Sequence, residues 1–261
     1  MCGRYANERK GLDFAGGFGE VGALLQAARG ENKEWLQELP PTFSIAPGTD
    51  NPIVRERLTT EGELVRDIEP ARWGLQPAWA SPKQQGSGAT DRRPARPAPI
   101  NARLESVATN GMFRKAFAQR RAIVPMTGYV EWTQAGKRKQ PWYVHSGDPL
   151  YAAGLYEVRK DDAGAWLVTY AIITTTARDA AGEVHDRMPV FLTPDLFNQW
   201  LQPTPFGEDD AEGFVELLAG TEERLARAMR TYALDPRINN AAAVDPLDPS
   251  LLDEAEPLPA G

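Results

Sequence analysis

Residues 43–75 contain Phe43-Ser-Ile-Ala-Pro47, Asn51-Pro-Ile-Val-Arg-Glu-Arg-Leu58, Glu63-Leu-Val-Arg-Asp-Ile68 and Ala71-Arg-Trp-Gly-Leu75, four short, partly alternating runs separated by Pro, Gly and Asp. Period-two alternation with turn residues between the runs predicts antiparallel strands. The same texture returns at Arg121–Pro125, Gly128–Thr133, Trp142–His145, Leu150–Glu157, Trp166–Thr176 and Val190–Leu192. Before it, Val21, Leu24, Leu25, Ala28, Trp35, Leu36 and Leu39 fall at helical spacings that Pro40-Pro41 stops. Further helices are predicted near Gly111–Gln119, Pro194–Leu201, Ala211–Ala219 and Thr221–Ala228. Strands outnumber helices without regular βαβ alternation. The expected fold is therefore α+β, a single domain on a curved antiparallel β-sheet or barrel with flanking helices.

That domain is expected over residues 1–240. Residues 82–99 (PKQQGSGATDRRPARPAP) hold almost no apolar side chains and read as a mobile basic loop. From Asp245 to Gly261 the chain is acidic and Pro-rich, the composition of a disordered tail. There is no internal repeat.

The single cysteine, Cys2, excludes an internal disulfide, and with only His145 and His185 beside it a Cys/His zinc site cannot be filled. No metal or other cofactor is expected. No apolar run approaches the roughly 18 residues of a membrane helix, and the N-terminus lacks a signal-peptide core. The expectation is a soluble cytoplasmic protein without membrane partners, nucleoid-associated if bacterial. The formal charge of −7 is uneven: residues 71–140 carry 13 Lys and Arg against three acids, a local +10 within an otherwise acidic chain. Such a segment suggests a local polyanion site, unless it is simply a solvated basic face.

Cys2 carries the most distinctive chemistry. A small second residue generally permits removal of Met1, after which Cys2 would present an α-amine (pKa about 7.7–8.0) and a thiol (about 8.5) on adjacent carbons. Such a 1,2-aminothiol condenses with an aldehyde through the amine, and the thiol then closes a five-membered thiazolidine. Cationic Arg4 would lower both pKa values. In Gly128-Tyr-Val-Glu-Trp132, Glu131 interrupts an apolar strand; burial would tune it for acid–base work, whereas an edge position would leave it in water. His185, in Glu183-Val-His-Asp-Arg-Met-Pro189, reads as a loop histidine suited to proton transfer or simply to the surface. Asn101 and Arg103 offer an amide and a guanidinium for sugar and phosphate oxygens. Trp79, between Pro77-Ala78 and a polar loop, reads as an exposed base-stacking residue or as core.

Taken in order, Met1-Cys-Gly-Arg-Tyr5, Ile45-Ala-Pro-Gly48, Arg72-Trp-Gly-Leu-Gln-Pro-Ala-Trp79, Asn101-Ala-Arg-Leu-Glu105, Met112-Phe-Arg114, Gly128-Tyr-Val-Glu-Trp132, Pro141-Trp-Tyr143, Ala153-Gly-Leu-Tyr156, Ile173-Thr-Thr-Thr176 and His185-Asp-Arg-Met-Pro189 resemble the SRAP (SOS-response-associated peptidase) family, over roughly residues 1–200. The resemblance implies the SRAP fold and a protein that binds single-stranded DNA and shields abasic sites in the DNA damage response by a covalent thiazolidine cross-link, with lyase-like activity and N-terminal autoprocessing. It implies Cys2, Asn101, Glu131 and His185 as catalytic residues, and Arg4, Trp79, Arg103 and Arg114 as DNA contacts. Two other readings stay open at this point: a thiol peptidase using Cys2 and His185, and a noncatalytic single-strand binder.

Overall fold

In the computed structural model, residues 2–10, 30–79, 97–161, 163–220 and 227–259 are described. The predicted helix before residue 30, the basic loop through residue 96 and most of the helix predicted from Thr221 lie outside the described residues. The strands are β1 (Arg4–Asn7), β2 (Thr42–Ile45), β3 (Asp50–Leu58), β4 (Leu64–Trp73), β5 (Asn101–Arg103), β6 (Arg121–Ala135), β7 (Arg138–Lys160), β8 (Trp166–Thr176), β9 (Arg187–Pro189) and β10 (Arg230–Ala233). The helices are α1 (Gly30–Glu38), α2 (Leu104–Val107), α3 (Arg114–Gln119), α4 (Asp179–Val184), α5 (Phe197–Leu201) and α6 (Glu208–Gly220).

Pairing closes a ring, β6 to β7 to β8 to β4 to β3 and back to β6. The sheet is mixed rather than wholly antiparallel, because β4 and β5 both run parallel to β8. Four of the predicted strands merge into two. β6 continues through a register shift between Met126 and Gly128, and β7 runs unbroken from Arg138. The bulge lets one long strand bend, so its first half belongs to the ring and its second half projects as a hairpin with β7. That projecting part receives β1 on one side and β10 on the other.

The alternation read from sequence sorts the core. Ile53, Trp73, Val124, Ala152 and Tyr170 fill the inside of the ring together with Cys2, Tyr5 and Tyr129. Their sequence neighbours Val54, Ile123, Ala153 and Ala171 point outward, where Leu104, Phe117, Trp200 and Leu218 of the helices cover them. Arg121 anchors this helical layer. Its buried guanidinium donates to the carbonyls of Phe117, Trp200 and Gln202, and lies 4.5 Å from the Phe206 ring centroid.

The tail departs from expectation. Residues 245–259 are packed rather than disordered: Leu251 and Leu252 join Ala6, Val130 and Tyr143 in a third buried cluster. Phe43 N–H donates to Pro246 O at 2.8 Å, and Ala255 N–H to Ala233 O at 2.9 Å. The reason is local. Asp248 caps a 3-10 turn over Pro249–Leu252 that presents two adjacent leucines to the hairpin, so two apolar anchors outweigh the acidic, Pro-rich composition. The folded unit therefore runs past residue 240.

Candidate active site

Cys2 enters the fold one residue ahead of the Gly3–Arg4 step into β1, and β1 docks on β6 with Arg4 opposite Val130 and Tyr5 opposite Tyr129. That register carries Cys2 into the ring interior. Behind it lies an aromatic wall, in which the Tyr5 and Tyr170 hydroxyls are 2.7 Å apart and Trp73 stacks on Tyr170 at 6.3 Å. β5 approaches from another side: Asn101, paired with Ile172, turns its side-chain Nδ2–H to the carbonyl oxygen of Cys2 at 2.8 Å. Asn101 Oδ1 is buried and has no hydrogen-bond partner among the described residues.

Glu131 lies two positions from Tyr129 and so on the same face of β6. It is 2% exposed, which resolves the sequence alternative in favour of burial. Burial pushes its carboxyl up to about 7, opposed by the chain's positive amino terminus and reinforced by Asp186. The Cys2 thiol is pushed up by burial first and by the Glu131 charge second. The two groups thus share one desolvated electrostatic environment.

His185 caps α4 at its C-terminal end, in the connection from β8 to β9. Its Nε2 is 4.0 Å from Glu131 Oε2, and burial and the amino terminus lower its pKa, favouring the neutral ring. A cleft of about 290 Å³ opens onto both side chains and is lined also by Trp132, Thr133, Gln134 and Lys139. Since a water takes roughly 30 Å³ in the liquid, this space admits a small organic group. One residue that the sequence reading did not single out ties the parts together: Arg187 grips Glu105 with two hydrogen bonds (2.6 and 3.0 Å) and also donates to Thr174 O at 2.5 Å. The Asn101–Glu105 segment is thereby clamped to the His185–Pro189 segment. The adjacency of both motifs to acids was visible in the sequence, but the partnership spans 82 positions.

Cys2, Asn101, Glu131 and His185, predicted from four separate segments, therefore converge. The proposed nucleic-acid contacts divide. Trp79 is 69% exposed, and Arg103 and Arg114 are exposed too. Arg4 is buried, with Nη1 donating to Ser44 Oγ and Ile238 O, so its guanidinium is engaged within the fold. Within the basic segment, Arg72 is paired with Asp50 and Arg120 with Glu157, while Arg121 serves the core. Lys137, Arg138 and Lys139, at the tip of the β6–β7 hairpin, stay exposed beside the cleft. Among the described residues no group of three or more His, Cys, Asp or Glu is arranged to hold a metal ion, and no helix is long and apolar enough to cross a membrane.

A mixed-sheet domain that brings Cys2 and Asn101 together with a buried glutamate and a histidine that share a cleft defines a candidate site, and similarity to known proteins gives its class. The chain matches the family model "SOS response associated peptidase (SRAP)" over residues 1–241, and it belongs to the SRAP family. It is similar to the abasic site processing protein YedK of Escherichia coli (28% identity, covering 81% of this chain and 84% of the relative). It is also similar to the abasic site processing protein YoqW of Bacillus subtilis (31% identity, 68% and 79%). A crystal structure of a Bacteroides thetaiotaomicron protein shares the fold, with a TM-score of 0.69 at 24% identity over 98% of this chain and 100% of that one.

Proposed function

We propose that this protein processes abasic sites in single-stranded DNA by forming a thiazolidine between Cys2 and the ring-opened sugar. The observation that carries the reading is the convergence on Cys2: Asn101 holds its carbonyl, and Glu131 shares its buried environment. The names of the relatives, abasic site processing proteins, support the substrate.

The chemistry follows from the groups present. An abasic deoxyribose is mostly closed, and only its open form offers an aldehyde. His185 Nε2 takes the C1′ hydroxyl proton, the C1′–O4′ electron pair goes to O4′, and water returns a proton there. With Met1 removed, the Cys2 amine attacks C1′ and the resulting carbinolamine loses one water to give an imine. The Cys2 sulfur then bonds to C1′, the C=N electron pair moves to nitrogen, and the thiol proton is relayed to that nitrogen through Glu131. A carboxyl poised near 7 can give and take protons at neutral pH. Asn101 fixes the nucleophile and leaves Oδ1 for the sugar. Trp79 stacks a flanking base, and Arg103 and Arg114 meet phosphates, which selects an unpaired strand.

The test is the intact mass of the protein after mixing with a single-stranded oligonucleotide carrying one abasic site. An adduct of protein plus oligonucleotide minus one water, mapped to Cys2, is expected. A chain whose N-terminal amine is blocked by a tag should bind the DNA without forming it. Normal cross-linking by the blocked chain would overturn the aminothiol mechanism and favour a thiol-only enzyme.

A further inference from the structure

One ring nitrogen of His185 stands between two groups that ask opposite things of it. Nδ1 is 3.0 Å from the amide nitrogen of Arg187, a donor, and 2.8 Å from Oδ1 of Asp186, an acceptor. A neutral imidazole has one N–H and one lone pair, so Nδ1 can satisfy only one of them at a time. When Nδ1 accepts from Arg187, the ring proton sits on Nε2, which looks toward Glu131 Oε2 at 4.0 Å. When Nδ1 donates to Asp186, Nε2 carries the lone pair into the cleft.

We propose that Asp186 is a positioning residue that competes with the Arg187 amide for Nδ1 and so selects the tautomer of His185. With the carboxylate engaged, Nε2 carries the lone pair and is a base; with it turned away, Nε2–H is a hydrogen-bond donor that cannot take a proton from the sugar. The two competitors are built differently. The Arg187 amide belongs to β9 and cannot move without it. The Asp186 backbone is also held, its carbonyl accepting from Ala177 N–H at 2.9 Å, but its side chain is 83% exposed and can swing at little cost. The charged groups facing the ring are Glu131 from β6, the Arg187 guanidinium (already committed to Glu105), the chain's amino terminus and Lys139 across the cleft. Glu131 is the second carboxyl competing for the single imidazole proton, at Nε2, so the two acids pull it toward opposite ends of the ring. Opening the sugar needs the Nε2 lone pair, and the imidazolium formed when Nε2 takes the C1′ hydroxyl proton returns that proton on closing, which regenerates the Nδ1–H tautomer. The tautomer held by Asp186 therefore serves both directions, and this consequence rests on the abasic-site reading above.

Asp186→Asn is the informative variant, because its amide N–H joins the Arg187 amide in asking Nδ1 for a lone pair. The chain has only two histidines, so nitrogen-15 correlation spectra of the DNA-free protein report the tautomer directly, and His185→Gln identifies the signal. Asp186→Asn should shift His185 toward Nε2–H, whereas Asp186→Glu should restore Nδ1–H. Cross-linking to a native abasic site by Asp186→Asn should slow at least about tenfold, with the acidic limb of its pH profile displaced, while an analogue bearing a free aldehyde reacts at nearly the wild-type rate. An unchanged tautomer in Asp186→Asn overturns the proposal whatever the DNA chemistry. A wild-type protein that forms no adduct overturns the abasic-site reading and leaves the tautomer result standing on its own.

Discussion

Asn101 and Cys2, 99 positions apart, are joined by a 2.8 Å hydrogen bond from the asparagine amide to the cysteine carbonyl. The bond reaches the carbonyl of Cys2 and leaves its nitrogen and thiol untouched, so under the proposed function it would fix the nucleophile without consuming it. Asn101→Ala should slow adduct formation at least about tenfold through loss of orientation, yet cost only about 0.5–1.5 kcal/mol of stability, because the β5–β8 pairing is made by backbone. Adduct rate and urea unfolding measured on the same preparation check this. An unchanged rate would remove Asn101 from the site.

Glu131→Gln separates stability from activity by pH. A carboxyl whose folded pKa is raised disfavours the folded state once it must ionise, so the penalty is absent below the unfolded pKa, near 4.5, and complete above about 7. The glutamine should therefore stabilise the protein at pH 8 by up to about 3 kcal/mol and by almost nothing at pH 4.5. Urea unfolding at both values reads it. In the same variant adduct formation should fall by about 10²-fold or more.

Gly128 sits at the bend of β6, and a Cβ there would overlap the Tyr143 ring, whose hydroxyl lies 3.2 Å from that of Thr127. Gly128→Ala should cost about 1–3 kcal/mol by overpacking. A thermal melt reads this, and a melt matching wild type would mean that Tyr143 can retreat.

The C-terminal residues make a sharper test of packing than composition does. Leu251 is buried against the hairpin, so Leu251→Ala should lose about 2–5 kcal/mol. A disordered tail would show no loss in denaturant unfolding.

For nucleic-acid binding, Arg103→Ala should lower the log–log salt slope by about 0.7 and weaken binding to every single strand alike. Fluorescence anisotropy across a salt series measures it. Loss confined to one base sequence would contradict a phosphate contact.

The sequence by itself determined the strand-rich α+β architecture, because period-two alternation states which side chains of a strand share a face, and here it separates ring interior from helix-covered exterior residue by residue. It also supplied the candidate site residues, since a cysteine at position 2, a lone glutamate in an apolar strand and a histidine beside acids are chemically unusual where they stand. What it left open was contact between distant segments. Whether Glu131 was buried or wet depended on β1 docking beside it. Arg4 looked like a phosphate contact and proved to be enclosed by Ser44 and Ile238; Arg121 looked like part of a basic face and proved to hold the helices together. The Arg187–Glu105 clamp and the two partners of His185 Nδ1 likewise arise only when β5, β8 and β9 lie side by side. Local patterns encode which face a side chain takes; the partner across that face is set by chain closure over tens of residues, and only the tertiary structure decides it.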